Sequence, residues 1–371
     1  MSKPICVITA DCHIEELIWR DRPSLLGDAF HGFSQCVSLA VDKGLPLVLA
    51  GDIVETLPSK TPTSTTVAFL VKELDRMKHA NLDVYNIYGQ HDKAEPTWLR
   101  ACDRWVTDAD GRTIDIGGTM TSFLSWRDRE SIKKMVQTIP SEAKILVAHQ
   151  HWAELMGGSS PEISSKDVPH VSTIISGDYH RPARKSGENA NGDPVSLFSP
   201  GATHMRKINE PPTHFALVLN DDGSVEPVKL NSRVVLKVDI NSLDDLTSAM
   251  DTWAETLYEV MNEAAKRRLP ITLHKPIYIV NDHIGVGSVY TKMKQIVGDT
   301  AFLFYQLKTT ATSVDDVDSD VVFDGEESRL TYFLAKECGE ASEEFGDLRN
   351  LLFSDDMKSA VRNLRDRFVK A

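Results

Sequence analysis

The chain has 371 residues, 41% of them apolar and 26% charged, with a formal net charge of −13. That balance belongs to a folded globular chain long enough for two or three domains, and it excludes fibrous and broadly disordered classes. So acidic a chain also excludes a protein that grips nucleic acid over its whole exterior, although a local basic patch remains compatible with it.

The first residues, "MSKPICVITADCH", enter a strand pattern directly, without the basic segment, apolar stretch and small-residue cleavage site of a signal peptide. No apolar run approaches the roughly 18 residues of a membrane span, so a cytoplasmic protein without membrane contact is expected. Cys6, Cys12, Cys36, Cys102 and Cys338 are widely spaced and form no CxxC pair. Their pattern argues against a disulfide framework and a thiolate zinc site, and predicts buried free thiols.

In chain order, the β-rich runs "ICVITA", "LPLVLA", "LDVYNIY", "AKILVAH", "VSTIISG", "VSLFS" and "HFALVLN" alternate with stretches of helical period at 25 to 43 and 64 to 80. Most of the runs are apolar throughout, as strands covered on both faces are, and the alternation predicts a layered α/β domain. "NDDGSVEP", at 220 to 227, closes the pattern with a hairpin turn. A second unit follows. "RVVLKVDI" reads as a strand, 242 to 268 as one long amphipathic helix, "PIYIVND" as a strand, 288 to 297 as a helix and "AFLFYQLK" as a strand. The acidic stretch "DDVDSDVVFDGEE", at 315 to 327, reads as a linker. Residues 329 to 371 carry helical spacing, with Leu348, Leu351, Leu352, Met357, Val361, Leu364 and Phe368 among the apolar positions. That face suits either completion of a local core or docking on a partner. The expected domains are therefore 1 to 230, 231 to 312, and 313 to 371.

Polar groups of one kind collect at the carboxyl ends of the strands, where a layered α/β fold places its sites. "ICVITADCH" ends in Asp11 and His13, and "LPLVLAGD" in Gly51 and Asp52. "VYNIYGQHD" ends in Gly89, Gln90, His91 and Asp92, "ILVAHQH" in His149, Gln150 and His151, and "TIISGDYH" in Gly177, Asp178 and His180. On an extended chain the i, i+2 spacing turns Asp11 and His13 to one face, and likewise Asp178 and His180, with Cys12 turned away. A single histidine at a strand end is more often a capping residue than a ligand. Several carboxylates and imidazoles converging in a dry cleft would instead repel or stay unpaired unless cations neutralised them, and divalent metal ions are the economical answer.

The order D-x-H, G-D, G-[polar]-H-D, H-Q, G-x-x-H resembles the calcineurin-like metallophosphoesterases, whose motifs usually read D-x-H, G-D, G-N-H-[DE], H and G-H-x-H. The resemblance covers about residues 4 to 219 and rests on the order of the motifs, since each alone is weak. It implies a four-layer αββα sandwich with a small α/β capping domain and a helical C-terminal tail. It implies one metal held by Asp11, His13, Asp52 and His180, with Asp52 bridging to a second held by Gln90, His149 and Asp178. His91 then matches the histidine beside the scissile phosphate, which protonates the leaving oxygen or stabilises the transition state. Two such cations would activate a water and clamp the phosphate for in-line attack.

Gln90 and Asp178 depart from the family's asparagine and histidine. Both still offer oxygen, which favours two Mn2+ ions, with Mg2+ as the alternative, and both admit a weak or empty second site. A phosphoesterase unit followed by a small β-α-β-α-β unit and a helical tail resembles the SbcD-type nuclease subunits of double-strand-break repair, in a compact, phage-like form. "SPGATH" resembles that group's proline-glycine turn. This implies DNA as substrate, an SbcC-type ATPase docked on the C-terminal helix, a homodimer, and a host cytoplasm if phage-encoded. Glu55 stands where many such nucleases carry histidine or aspartate, and near a phosphate it would repel unless paired. Glu55, His151, Arg181, His204 and Arg206 are the candidate substrate contacts. The alternatives are a stand-alone small-molecule phosphodiesterase or phosphatase, and a catalytically weak DNA-end-binding scaffold.

Overall fold

The structure, a computed structural model, describes residues 2–15, 27–55, 62–92, 102–156, 161–207, 210–284 and 288–308. The chain divides into two compact units, Met1–Lys308 and Thr309–Ala371. The second, which includes the acidic linker and the expected docking helix, lies outside the described residues.

The elements of the first part are β1 (Pro4–Thr9), α1 (Asp28–Lys43), β2 (Leu47–Ala50), α2 (Ser64–His79), β3 (Val84–Ile87), β4 (Thr107–Asp108), β5 (Thr113–Ile116), β6 (Thr119–Leu124), α3 (Arg129–Val136), β7 (Ile145–His149), α4 (Ala153–Met156), β8 (Thr173–Gly177), β9 (Ala183–Glu188), β10 (Pro194–Ser199), β11 (His214–Asn220) and β12 (Val225–Leu230). They form two six-stranded sheets, in the orders β12-β11-β1-β2-β3-β4 and β5-β6-β7-β8-β10-β9. Strands β1 to β4 are mutually parallel, as are β6, β7, β8 and β10, and antiparallel strands edge both sheets. The expected hairpin joins β11 to β12, with the Asn220 N–H donating to Ser224 O.

The apolar runs are explained by burial on both faces. Ile8, Val48, Ile87 and Leu217 of the first sheet meet Phe123, Val147, Ile175 and Phe198 of the second in one core. Alternate residues on the first sheet, Val7 and Leu49, face the other way and pack against Phe33 and Val37 of α1 and Leu70 and Leu74 of α2. Ile132 and Val136 of α3 pack with Leu146 and Ile174 of the second sheet. The result is a mixed α/β body of parallel-rich sheets flanked by helices, with the carboxyl ends of β1, β2, β3, β7 and β8 brought together. The extended strands β5, β6 and β9 were not anticipated. β5 and β9 leave side chains partly or fully exposed (β9 carries exposed Arg184, Lys185 and Ser186), and β6 buries Thr121 and Ser122 beside Phe123 and Leu124, so no continuous apolar run marks them.

The second part contains β13 (Val235–Ile240), α5 (Leu243–Asp251), α6 (Trp253–Lys266), β14 (Ile277–Asp282), α7 (Ser288–Val297) and β15 (Phe302–Leu307), with the three strands parallel in chain order. The single helix expected over 242 to 268 is broken at Thr252, whose N–H and Oγ1–H both donate to Ser248 O. Such local side-chain bonding competes with helix propagation, and the break lets Trp253 turn inward onto Tyr278. One face of this sheet packs on its helices through Val280, Val289 and Met293. The other places Ile277, Ile279 and Phe302 against Met205, which immediately precedes Arg206 of the site. Arg233 secures the junction. It donates to both Asp28 oxygens at 2.8 to 3.1 Å and to the carbonyls of Thr272 and Lys275. Removing one partner of so buried a pair costs on the order of 3–5 kcal/mol. No helix among the described residues is long and apolar enough to cross a membrane.

Candidate metal centre

Strand alternation does not place the polar groups. β1 ends at Thr9, and Asp11 and His13 beyond it take φ of 51° and 40°, while Asp52 and Asp178 take 52° and 74°. Left-handed backbone at non-glycine residues costs roughly 1–2 kcal/mol each and persists only where the surroundings enforce it. Here the loops after β1 and β2 run side by side: Asp11 N–H donates to Gly51 O, His13 N–H to Asp52 O and Ile14 N–H to Ile53 O. Asp92 staples the next loop to them. Its carboxylate accepts from the N–H groups of Ile53, Val54 and Gly89, each at 3.0 Å.

The glycines of the motifs leave space for these side chains. A Cβ on Gly89 would stand 1.9 Å from Asp52 Oδ1, and one on Gly51 or Gly177 would stand 2.3 Å from His149 Nδ1. Gly51 also holds φ of 88°, which its neighbours in the turn require of it.

The resulting constellation is compact. Ligand atoms of Asp11, His13 and His180 lie within 4.8 Å of one another, as do those of Asp11, Asp52 and His149. Asp11 therefore belongs to both groups. Asp52 Oδ2 faces three imidazoles, at 3.4 Å from His149 Nε2, 3.7 Å from His13 Nε2 and 3.9 Å from His91 Nε2. Asp178 Oδ1 is 3.9 Å from His149 Nε2 and accepts from Gln90 Nε2 at 2.7 Å. Because the Gln90 amide nitrogen is committed to Asp178, its oxygen is the atom left over. Gln90 Oε1, Asp11 Oδ2 and His149 Nε2 are all buried without a hydrogen-bond partner. Buried polar atoms are rarely left so, and a divalent cation with oxygen and nitrogen ligands satisfies them together. The residues present thus fit a metal ion.

Partners behind the imidazoles fix which nitrogen faces inward. His149 Nδ1–H donates to Ala50 O at 2.8 Å, and His180 Nδ1–H to Glu210 Oε1 at 2.8 Å. His13 Nδ1 lies 3.3 Å from Glu55 Oε2, at ion-pair distance without hydrogen-bond alignment. His13 Nε2 and His180 Nε2 approach to 3.2 Å. His91 Nδ1–H donates to Glu55 Oε1 at 2.6 Å, which leaves Nε2 toward the cluster, and its side chain is 23% exposed.

The electrostatics follow from crowding. Burial pushes the Asp11 carboxyl up to about 6 against the pull of His149 and His180. Burial acts on Asp52 in the same sense, but His149, His13 and His91 outweigh it and hold Asp52 below the usual carboxylate range. Burial opposes a charge on His149, yet Asp52, Asp11 and Asp178 hold its imidazole well above the usual histidine range. Burial and the Arg206 guanidinium bring His13 down to about 3. Protons and a cation would therefore compete for the same donors.

Of the candidate substrate contacts, Glu55 is not an unpaired anion. It pairs with the guanidinium of Arg206 as well as with His91 and His13. His151 Nε2 is 3.0 Å from Asp178 Oδ2. Arg181 is exposed, and His204 is buried at 2% exposure, where burial and Arg206 hold it well below the usual histidine range. Glu210 escaped the sequence reading: it lies in "NEPPT", outside any motif, and only the fold brings it to His180. Cys6, Cys12, Cys36 and Cys102 are buried free thiols.

No protein-family model matches the chain, and no curated protein matches it in sequence. Among solved structures, TT1561 of Thermus thermophilus aligns with 61% of this chain and 98% of its own, at 11% identity and a TM-score of 0.39. A second structure aligns with 62% of this chain and 100% of its own, at 10% identity and a TM-score of 0.38. These likenesses are too slight to carry an assignment.

Proposed function

We propose that the chain is a metal-dependent phosphodiesterase of the calcineurin-like type, built on a four-layer αββα sandwich over 1 to 230 with a capping domain over 231 to 312, and that its substrate is DNA. The observation that supports this best is the set of unpartnered donor atoms on Asp11, Gln90 and His149, gathered from separate strand ends with Asp52 and Asp178 beside them. Asp11, His13, Asp52 and His180 would hold one cation, and Asp52, Gln90, His149 and Asp178 a second, with Mn2+ favoured by the oxygen-rich donor set. When bound, such a pair supplies positive charge to a phosphodiester and makes water nucleophilic near neutral pH.

The chain's own groups do the rest. Glu55 holds His91 by Nδ1, so Nε2 can carry the proton that the leaving oxygen needs. Burial opposes a charge on His91, but the bond to Glu55 wins and raises its pKa, which suits a proton donor near neutral pH. Pairing with Arg206 removes the repulsion Glu55 would otherwise direct at a phosphate. The exposed Arg184 and Lys185, on opposite faces of edge strand β9, and exposed Arg181 just before it put local basic charge on an otherwise acidic chain. By the same reading the chain is an SbcD-type subunit that acts on DNA ends as a homodimer in the cytoplasm, with an SbcC-type ATPase on the C-terminal helix.

The test is degradation of labelled linear duplex with Mn2+, set beside turnover of bis-p-nitrophenyl phosphate, each with an EDTA control. DNA cleavage that EDTA abolishes is the expected result. Turnover of the small ester alone points to a small-molecule phosphodiesterase, and DNA binding without any turnover to a scaffold.

A further inference from the structure

The two halves of the metal centre are not equivalent, and the difference lies behind the ligands. Around Asp11, both imidazoles are backed by glutamate. His180 Nδ1–H donates to Glu210 Oε1 at 2.8 Å, and His13 Nδ1 lies 3.3 Å from Glu55 Oε2. A carboxylate on the outer nitrogen fixes the ring's orientation and makes the inner nitrogen a better donor. Glu210 is itself held by the backbone. Its Oε2 accepts from Arg206 N–H at 2.6 Å and Lys207 N–H at 3.0 Å, and the Arg206 side chain reaches across to Glu55. One residue thus ties together the two carboxylates that support this pocket, although its guanidinium also offsets part of the Glu55 charge.

The other pocket lacks such support. His149 is backed by a neutral carbonyl, Ala50 O, at 2.8 Å. Gln90 contributes a neutral amide. Asp178 Oδ1 already accepts from Gln90 Nε2 at 2.7 Å, so a cation must share that oxygen, while Oδ2 lies 3.0 Å from His151 Nε2 without a hydrogen bond. Each pocket has one aspartate of its own beside the shared Asp52, so the difference lies behind the imidazoles: carboxylate behind His180 and His13, a neutral carbonyl behind His149, which makes the latter the weaker donor.

We infer that the Asp11/His13/His180 pocket binds its cation first and more tightly, and that Glu210 is the positioning residue that sets this order by holding His180. The inference rests on the metal-centre reading above and deepens it. It requires sequential filling, with the Gln90/His149/Asp178 pocket filling second.

The experiment is a titration of the full chain with Mn2+, followed by electron paramagnetic resonance of free ion and by calorimetry, on the native protein and on Glu210→Gln and Glu210→Asp. The native protein should take up one Mn2+ with an affinity at least about tenfold above the next. Glu210→Gln carries no charge and has a single acceptor oxygen; where that oxygen keeps the Arg206 and Lys207 N–H groups, its NH2 faces His180 Nδ1 and the bond that holds the ring is lost. The substitution should weaken the tight step about ten- to a hundredfold, the range for outer partners of metal-bound histidine. The weak step should stay as it was. Glu210→Asp, which keeps the charge, should recover part of the tight step. Two equivalent sites in the native protein, or a Glu210→Gln chain that binds as the native one does, overturns the inference while leaving the metal centre standing. Absence of any Mn2+ uptake by the native protein overturns the metal-centre reading itself.

Discussion

The large body and the small three-stranded sheet both end parallel strands in polar residues, and they treat those residues in opposite ways. At the tips of β13 and β14, Asp239 accepts from Asn281 and from His283, and Asp282 accepts from the Ile284 N–H and the Tyr305 hydroxyl. None of the buried unpartnered atoms among the described residues falls in this sheet. At the tips of β1, β3 and β7, by contrast, Asp11, Gln90 and His149 each keep a buried donor atom unsatisfied. Polar strand ends are therefore no evidence of a site by themselves. What marks one is polarity that the protein leaves unspent, at backbone geometry it has to enforce.

That contrast can be broken at several points, beginning with the largest effect. His91→Ala should lower phosphodiester cleavage about a hundred- to ten-thousandfold, the usual share of a positioned proton donor, while Mn2+ content stays nearly unchanged. Loss of bound metal in that variant would place His91 among the ligands. Gly89→Ala should cost about ten- to a hundredfold in Mn2+ affinity by titration, because a Cβ 1.9 Å from Asp52 Oδ1 forces that carboxylate aside. Unaltered binding would show that Asp52 does not depend on that turn.

A smaller effect is set by pH. The Asp11 carboxyl sits at about 6 in the folded protein against 3.8 when unperturbed, so the metal-free fold binds an extra proton between those values. The stability this gives is complete below about 3.8 and is lost as pH rises through about 6, where the buried carboxylate becomes charged and a cation relieves it. The rise in melting temperature caused by Mn2+ should thus be larger at pH 7.5 than at pH 5.5, both values being chosen to bracket the shift to about 6. A rise of equal size at both would remove Asp11 from the ligand set. The smallest change belongs to the other region. Tyr305→Phe should cost roughly 1 kcal/mol in urea unfolding, the worth of one hydrogen bond, with no change in Mn2+ binding.

Much of this was legible beforehand. Apolar runs located β1, β2, β3, β7, β8, β10 and β11 to within a few residues, since burial on both faces leaves a continuous signal. Strands β5 and β9 are sheet edges, where exposure breaks that signal, and β6 is hidden by its buried polar residues Thr121 and Ser122. The candidate ligands stand at strand tips as the sequence pattern predicts, but an extended chain does not orient Asp11, His13 and Asp178, whose backbone is left-handed, as is that of Asp52. The break at Thr252 was hidden because amphipathic spacing continues through it; the local sign is the Thr252 hydroxyl bonding back to Ser248 O beside the regular N–H bond, which bends a helix.

The order of the residues alone determined which strands exist, which side chains stand at their ends and that those side chains carry ligand chemistry, because periodicity and residue type are local properties. Tertiary structure decided which atoms remain without partners, that Glu55 is neutralised by Arg206, and that Glu210 stands behind His180. Glu55 lies 151 residues from Arg206, and Glu210 lies 30 from His180. Contacts at such separations depend on how two sheets stack, and no local pattern records them.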